Sequence, residues 1–241
     1  MRVQSLGEAF ATLREAYPRA YFVVDNCYGE FTEIDEPTVH GGDVIAGSLI
    51  KNPGGGLAPT GGYVAGKKEC VEKIAQRLTV PGLGAEVGSY AGSYRPFYQG
   101  LFMAPHTTCH CIKGAMLFAR VFEKLGLETL PESGALRSDI IQAVQFPSAD
   151  DMVAFCRDIQ AAAPIDSFVT PEPWDMPGYA DQVIMAAGAF VQGATTELSA
   201  DGPIKPPYKV YLHGALTYAH ARIAAMQACE TLLLKSSEAG R

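Results

Sequence analysis

Three side chains near the start of this sequence have the types and spacing for amine–carbonyl chemistry. Lys51 stands in SLIKNPGGG, after an apolar stretch and just ahead of Gly54, Gly55 and Gly56, where the backbone must bend sharply or approach something closely. A lysine desolvated in such a place has a lowered pKa and becomes a usable nucleophile toward a carbonyl. Ser48, three residues earlier, is close enough to offer its hydroxyl to a phosphate held at the same turn. Asp25 closes the run AYFVVD, and an acid at the carboxyl end of a buried strand sits where α/β sheets bind ligands. Taken singly, each has a plainer reading, with Asp25 as a turn cap and Lys51 as a solvent-facing lysine in a flexible glycine loop.

The elements that must position these residues are legible as patterns. The opening MRVQSLGEAFATLREAY lacks the apolar core of a secretory signal and reads as an amphipathic helix with Leu6, Phe10, Leu13 and Tyr17 on one face. AYFVVD, DVIAGS (43–48) and GGYVAG (61–66) read as strands, and KKECVEKIAQRL as a surface helix. Near-continuous apolar strands between helices predict a mixed sheet with helices on both faces. Residues 80–98 form a Gly-, Tyr- and Ser-rich loop, and a helix is predicted from His106 to Leu125, ending at Gly126. A turn cluster from Pro131 to Gly134 sets a domain boundary, giving a large-domain portion over 1–130 and a smaller α+β domain over 131–241. Within the second, SDIIQAVQF is a strand and SADDMVAFCRDIQAAA a helix capped by Ser148. DSFVT, DQVIMAAGAF, TTELSA and YKVYLHG read as strands, and a helix closes the chain from about Thr217 to Leu234.

Bulk properties narrow the class. The 241 residues are 48% hydrophobic and 19% charged, with 19 basic and 26 acidic residues for a net charge of −7. That balance, with no Lys/Arg cluster, argues against a nucleic-acid partner. The most apolar run, Val183 to Val191, is too short to span a membrane. Cysteines at 27, 70, 109, 111, 156 and 229 show no framework spacing and read as reduced thiols in a cytoplasmic protein.

Together, Asp25 and Lys51 match what pyridoxal 5′-phosphate requires: an amine for its aldehyde and an anion that keeps the ring nitrogen protonated. The run VVDNCYGEF, then EPTVHGGDVIAGSLIKNPGGGLAPTGGYVAGKK, closely resembles the methionine γ-lyase-like, aluminium-resistance family of fold-type-I pyridoxal-phosphate enzymes. DNCYGEF parallels the DN-x-[FY] segment of their cystathionine-lyase relatives, and SLIK their S-x-x-K. QGLFMAPHT, RSDIIQAVQF, DSFVTPEPWDMPGY, DQVIMAAGAFVQG and ELSADGP extend the resemblance over nearly the whole chain.

The resemblance implies a pyridoxal-phosphate-dependent carbon–sulfur lyase acting on a sulfur-containing amino acid, and a homo-oligomer. It makes Lys51 the Schiff-base lysine, Asp25 the partner of the ring nitrogen and Ser48 a phosphate ligand. Family members carry a long region before the aspartate strand, with a phosphate-cradling glycine loop. This chain starts just ahead of that strand, so the expectation is a truncated or split member. The alternative is a non-catalytic remnant, or a subunit needing a partner for the N-terminal half. The relatives also place a carboxylate-binding arginine in an RLSxG-like segment; ELSADGP has Glu197 there, which leaves Arg137 and Arg95 as candidate clamps.

Other groups have packing roles as competing readings. In HTTCHC, His106, Cys109 and His110 share a helical face, but the following AMLFARVF is core-like and no second Cys/His group accompanies them, so no metal site is expected. Trp174, between prolines, lines either a pocket or a domain seam. Tyr90, Tyr94 and Tyr98 recur every four residues and would form a stripe if the segment were helical.

Overall fold

The computed structural model describes residues 2–78 and 80–239. The chain forms two compact units, Met1–Pro105 and His106–Arg241. The border falls within the long helix at Pro105, whereas the turn cluster at Pro131 marks it in the sequence.

The first unit is built on a three-stranded mixed sheet in the order β1-β2-β3, with β1 at Val23–Asp25, β2 at Val44–Ser48 and β3 at Gly62–Gly66. β1 runs parallel to β2 with Asp25 opposite Ala46, and β3 runs antiparallel to β2 with Gly62 opposite Ser48. Helix α1 (Val3–Ala16) is fastened by Arg14, whose guanidinium lies 4.0 Å over the Phe22 ring and 2.9 Å from the Asp43 carboxylate. Burial opposes a charge on Asp43, but Lys67, the Phe22 amide and Arg14 outweigh it and hold the carboxyl at about 2. Lys67 leads into α2 (Lys68–Leu78), so one buried acid ties both helices to the start of β2.

AYFVVD departs from the buried strand expected of it. Val23 is 64% exposed, since β1 is the edge of this sheet and no helix of the described residues covers it. Helices on both faces are therefore not found at this strand.

The glycine run after Lys51 is packed, contrary to the flexible-loop reading. Asn52–Gly54 form a single 3₁₀ turn, and Asn52, Pro53, Gly54 and Gly55 are all buried. A methyl at Gly54 would collide with the Leu49 carbonyl, and one at Gly100 with the Gly54 carbonyl. Gly100 belongs to α3 (Arg95–Lys124), so this turn sits on the helix main chain to main chain. Gly54→Ala should cost about 1–3 kcal/mol through backbone displacement. Urea denaturation compared with Gly134→Ala, where an added methyl meets nothing within 4 Å, checks this. Equal stability of the two variants would refute the close approach.

α3 begins eleven residues before the predicted His106. Gly100 and Pro105 look like helix breakers, yet the first is required by the Gly54 contact, and the helix continues through the second despite its missing donor and the crowding of its ring against the preceding turn.

The second unit carries an antiparallel sheet in the order β4-β5-β8-β7-β6, an α+β arrangement. Its strands are β4 (Glu128–Leu130), β5 (Gln142–Gln145), β6 (Val183–Ala186), β7 (Ser199–Pro203) and β8 (Lys209–His213). Phe118 and Phe122 of α3, Phe155 of α4 (Ala149–Ala161) and Ala221, Ala224 and Ala228 of α5 (Tyr218–Ala239) share one core with Val144, Leu212 and Ile184 from the sheet. The Ser148 hydroxyl accepts the Asp151 amide at 3.1 Å, the cap expected from the sequence. DSFVT forms a turn rather than a strand: Asp166 has φ 54° and its carbonyl takes the Val169 amide. Prolines 164 and 171 bracket that segment. β4 has no counterpart among the predicted strands; it is three residues long and lies at the sheet edge.

Candidate active site

Because β1 and β2 are parallel neighbours, their carboxyl ends lie together. Asp25 ends β1, Ser48 ends β2, and Lys51 follows at the head of the 3₁₀ turn. Side chains alternate along a strand, so Asp25, its partner Ala46, and Ser48 share a face while Gly47 points to the other. All three predicted residues thus gather at one edge of the first unit.

The loop after β1 supplies the surroundings of Lys51. Its Nζ lies 4.6 Å over the Tyr28 ring, a cation–π contact. Burial alone would push the amine down, but Tyr28 and Cys27 beside it outweigh burial and hold it above the ordinary lysine value. This reverses the lowered pKa expected from desolvation. Asp25 is held below the usual carboxylate range by hydrogen bonds from the Cys27 thiol and amide, the latter 3.1 Å from Oδ1, with help from the Lys51 charge. Burial, and the bond to Asp25, push the Cys27 thiol up in turn. The acid is therefore a fixed anion and the lysine a protonated amine at rest.

Two layers of support lie behind these groups. Asn52, fully buried, donates from Nδ2 to the carbonyls of Tyr28 and Glu30 at 3.0 Å each. It thereby ties the residue after Lys51 to the loop beneath it. Tyr28 and Phe31 in that loop take φ of 73° and 60°, conformations that non-glycine residues seldom adopt. Such backbone persists where surrounding contacts over-determine it. Deeper still, Tyr63 Oη donates to Glu30 Oε1 at 2.8 Å, while Asn26 Nδ2 donates to Glu36 at 2.8 Å. Gly47 leaves the room for this: a Cβ there would press on both Glu30 and the Tyr63 ring.

Cys27, Tyr28, Glu30, Asn52 and Tyr63 are not singled out by the sequence reading. For Cys27, Tyr28 and Glu30 the one visible signal is the run NCYGEF directly after Asp25, polar and aromatic residues in a place where a plain turn needs neither; Asn52 and Tyr63 carry no such signal.

The remaining candidates have local roles. Tyr90, Tyr94 and Tyr98 do not share a helix, since α3 starts at Arg95. Instead Tyr90 and Tyr94 pack with Phe97 at ring distances of 5.1 and 6.0 Å, beside a cavity of about 760 Å³ that Gly47, Leu49 and Tyr63 also line. Arg95 is exposed at the start of α3. In the second unit, both oxygens of the buried Glu197 accept backbone amides, from Phe190 at 2.8 Å and Val191 at 3.0 Å, so it fastens a loop. Arg137 is buried, donates to Gln142 Oε1 and the Ile141 carbonyl, and keeps a buried Nε–H without a hydrogen bond. His110 accepts the Tyr218 amide at 2.9 Å, and the buried Cys111 thiol faces the carbonyls of Thr196 and Ala215. Trp174 pairs with Val183 as an isolated β-bridge. Among the described residues no helix is long and apolar enough to cross a membrane.

The sequence profile described as Methionine gamma-lyase matches residues 1–233. The chain belongs to the methionine gamma-lyase family. A 33.9 kDa protein encoded in the glnA 5′ region of Lactobacillus delbrueckii subsp. bulgaricus is 50% identical to it, covering 98% of this chain and 77% of that one. The structure of a carbon-sulfur lyase involved in aluminium resistance from Clostridium novyi NT superposes with a TM-score of 0.91 at 51% identity, over 96% of this chain and 54% of that one. A candidate cystathionine beta-lyase involved in aluminium resistance from Clostridium acetobutylicum gives a TM-score of 0.91 at 50% identity, again over 96% and 54%. The chain thus spans about half the length of those two structures. Family members are related to carbon–sulfur lyases of aluminium resistance, and the mixed α/β architecture agrees with them.

Proposed function

We propose that this chain carries the lysine-bearing part of a pyridoxal-phosphate site of fold type I, serving carbon–sulfur bond elimination in an amino acid. The observation that carries the reading is the gathering of Asp25, Ser48 and Lys51 at the adjoining carboxyl ends of two parallel strands. The donor set fits the cofactor. A fixed carboxylate suits a pyridinium nitrogen, a primary amine suits an aldehyde, and a hydroxyl at a strand end suits a phosphate oxygen.

When bound, the cofactor supplies an electron sink for a carbanion at the substrate α-carbon. The chain's own residues do the rest. Lys51 Nζ would hold the aldehyde carbon covalently and, once displaced by the substrate amine, take the α-proton. Asp25, kept ionised by Cys27, would hold the proton on the ring nitrogen. Ser48 Oγ would donate to the phosphate. Tyr28, beneath the amine, keeps Lys51 on one side of the site.

Titrating the protein with pyridoxal phosphate, recording absorbance and mapping the borohydride-reduced peptide tests this reading; a reduced product outside SLIKNPGGG would overturn it. Asp25→Ala should retain some cofactor while losing about 100-fold or more of turnover. A charge-assisted hydrogen bond is worth about 1.5–3 kcal/mol and the electron sink depends on this one. Activity within a few-fold of the parent would contradict the role. Turnover is read on the protein in whatever assembly proves active.

A further inference from the structure

Helix α5 carries apolar residues on two opposite sides. One side, with Ala221, Ala224, Ala225 and Ala228, belongs to the core of the second unit. The other is open: Met226 is 64% exposed, Ile223 62% and Leu233 53%. A surface helix turns polar residues outward, and a helix that is apolar all round is one that something covers. Between this open side and α3 runs a cavity of about 580 Å³, with Leu117 and Val121 of α3 as its far wall. Two charges line the same cavity, Arg222 and Glu230, both exposed. Among the described residues neither is held in an ion pair.

The two charges flank Met226 symmetrically, one four residues before it and one four residues after, about 6 Å to either side along the axis. Four-residue steps also keep all three on one face of the helix. We propose that this face is a two-fold interface, on which the α5 helices of two copies of the chain lie antiparallel with Met226 at the dyad. A second copy supplies the complement by construction, because a two-fold contact sets one patch against itself. With the axis beside Met226, Arg222 meets Glu230 of the partner subunit, and the reciprocal pair forms on the far side of the axis. The same register sets the small, exposed Ala219 opposite Leu233 of the partner subunit, which leaves room for the larger side chain. A parallel, in-register pairing would instead bring like charges together at both positions, so the charges fix direction while the apolar strip supplies the burial. Nothing in this pairing depends on the pyridoxal-phosphate reading of the first unit.

Sedimentation velocity of the whole chain over a range of concentrations, with charge-exchange variants, tests the register. The parent should sediment as a dimer. Arg222→Glu or Glu230→Arg alone sets like charges together twice in each dimer and should weaken self-association about tenfold, while the double exchange should restore it to within about threefold of the parent. Both positions are exposed, and the fluorescence of Trp174, in the same unit, checks that each variant is folded. Disulfide trapping reads the dyad separately. In a Cys229→Ser background, Met226→Cys should give a covalent dimer on mild oxidation, because the axis brings this position against its own copy. Leu233→Cys and the background itself should not. A parent that stays monomeric across the concentration range overturns the proposal, and so does one whose α5 face is covered only by a different polypeptide. A dimer that ignores both single exchanges, or in which Met226→Cys is not trapped, overturns it equally.

Discussion

Replacing Lys51 by alanine is expected to abolish covalent retention of pyridoxal phosphate after borohydride, with no other lysine taking over. The nearby alternative, Lys67, is committed to the buried Asp43 carboxylate. Lys113 lies on α3 in the other unit. The loss should be all or none, because covalent capture needs an amine at this one place. The fold should survive: the Lys51 side chain is half-buried, and its contact with Tyr28 is worth about 0.5–1 kcal/mol. Mass spectrometry of reduced, digested parent and variant reads both points. Label on Lys67 or Lys113 in the parent, or label retained by the variant, would remove Lys51 from the site.

Glu30→Gln is expected to change how the first unit responds to pH. A carboxyl whose folded value is about 7, against an ordinary 4.5, is held as the acid in the native state more strongly than in the unfolded chain. Its contribution is complete below 4.5, declines as pH rises, and is lost above about 7. Across that window the parent should lose about 3 kcal/mol relative to the glutamine variant, since each pH step between the two values costs about 1.4 kcal/mol. At pH 8 the variant should therefore be the more stable protein, and near pH 4 the difference should vanish. Trp174 sits in the second unit and reports the wrong transition. Amide exchange along β2 and β3 is the suitable probe. Parallel profiles for parent and variant between pH 4 and 8 would show that Glu30 ionises freely in the fold.

What could be read from the sequence divides by the range of the forces involved. Strands β2 and β3, helices α2 and α4, and the Ser148 cap follow from local patterns, and their positions agree with those patterns. The nearness of Asp25, Ser48 and Lys51 was legible because Asp25 and Ser48 end neighbouring strands, Lys51 follows within one turn, and parallel pairing brings such ends together. The Glu30–Tyr63–Gly47 cluster was not legible, because it joins a loop, β3 and β2 through space that a missing Cβ leaves open. Nor does the sequence reveal which way the Lys51 pKa moves. Desolvation can be inferred from apolar neighbours, but the opposing influence of Tyr28 and Cys27 depends on a loop whose backbone turns through positive φ. Helix α3 starts early for the same kind of reason, as its glycine serves a partner distant in sequence.

That glycine pair has a genetic consequence. Gly54 and Gly100 meet through main-chain atoms, so neither side of the contact has a side chain that could shrink to absorb a change in the other. A strain crippled by Gly100→Ala, whose added methyl would meet the Gly54 main chain, should recover by true reversion at codon 100 and seldom through a second-site suppressor at codon 54. The adjoining turn, with the lysine at its head, would then drift less than the rest of its unit, held by two positions that cannot compensate for one another.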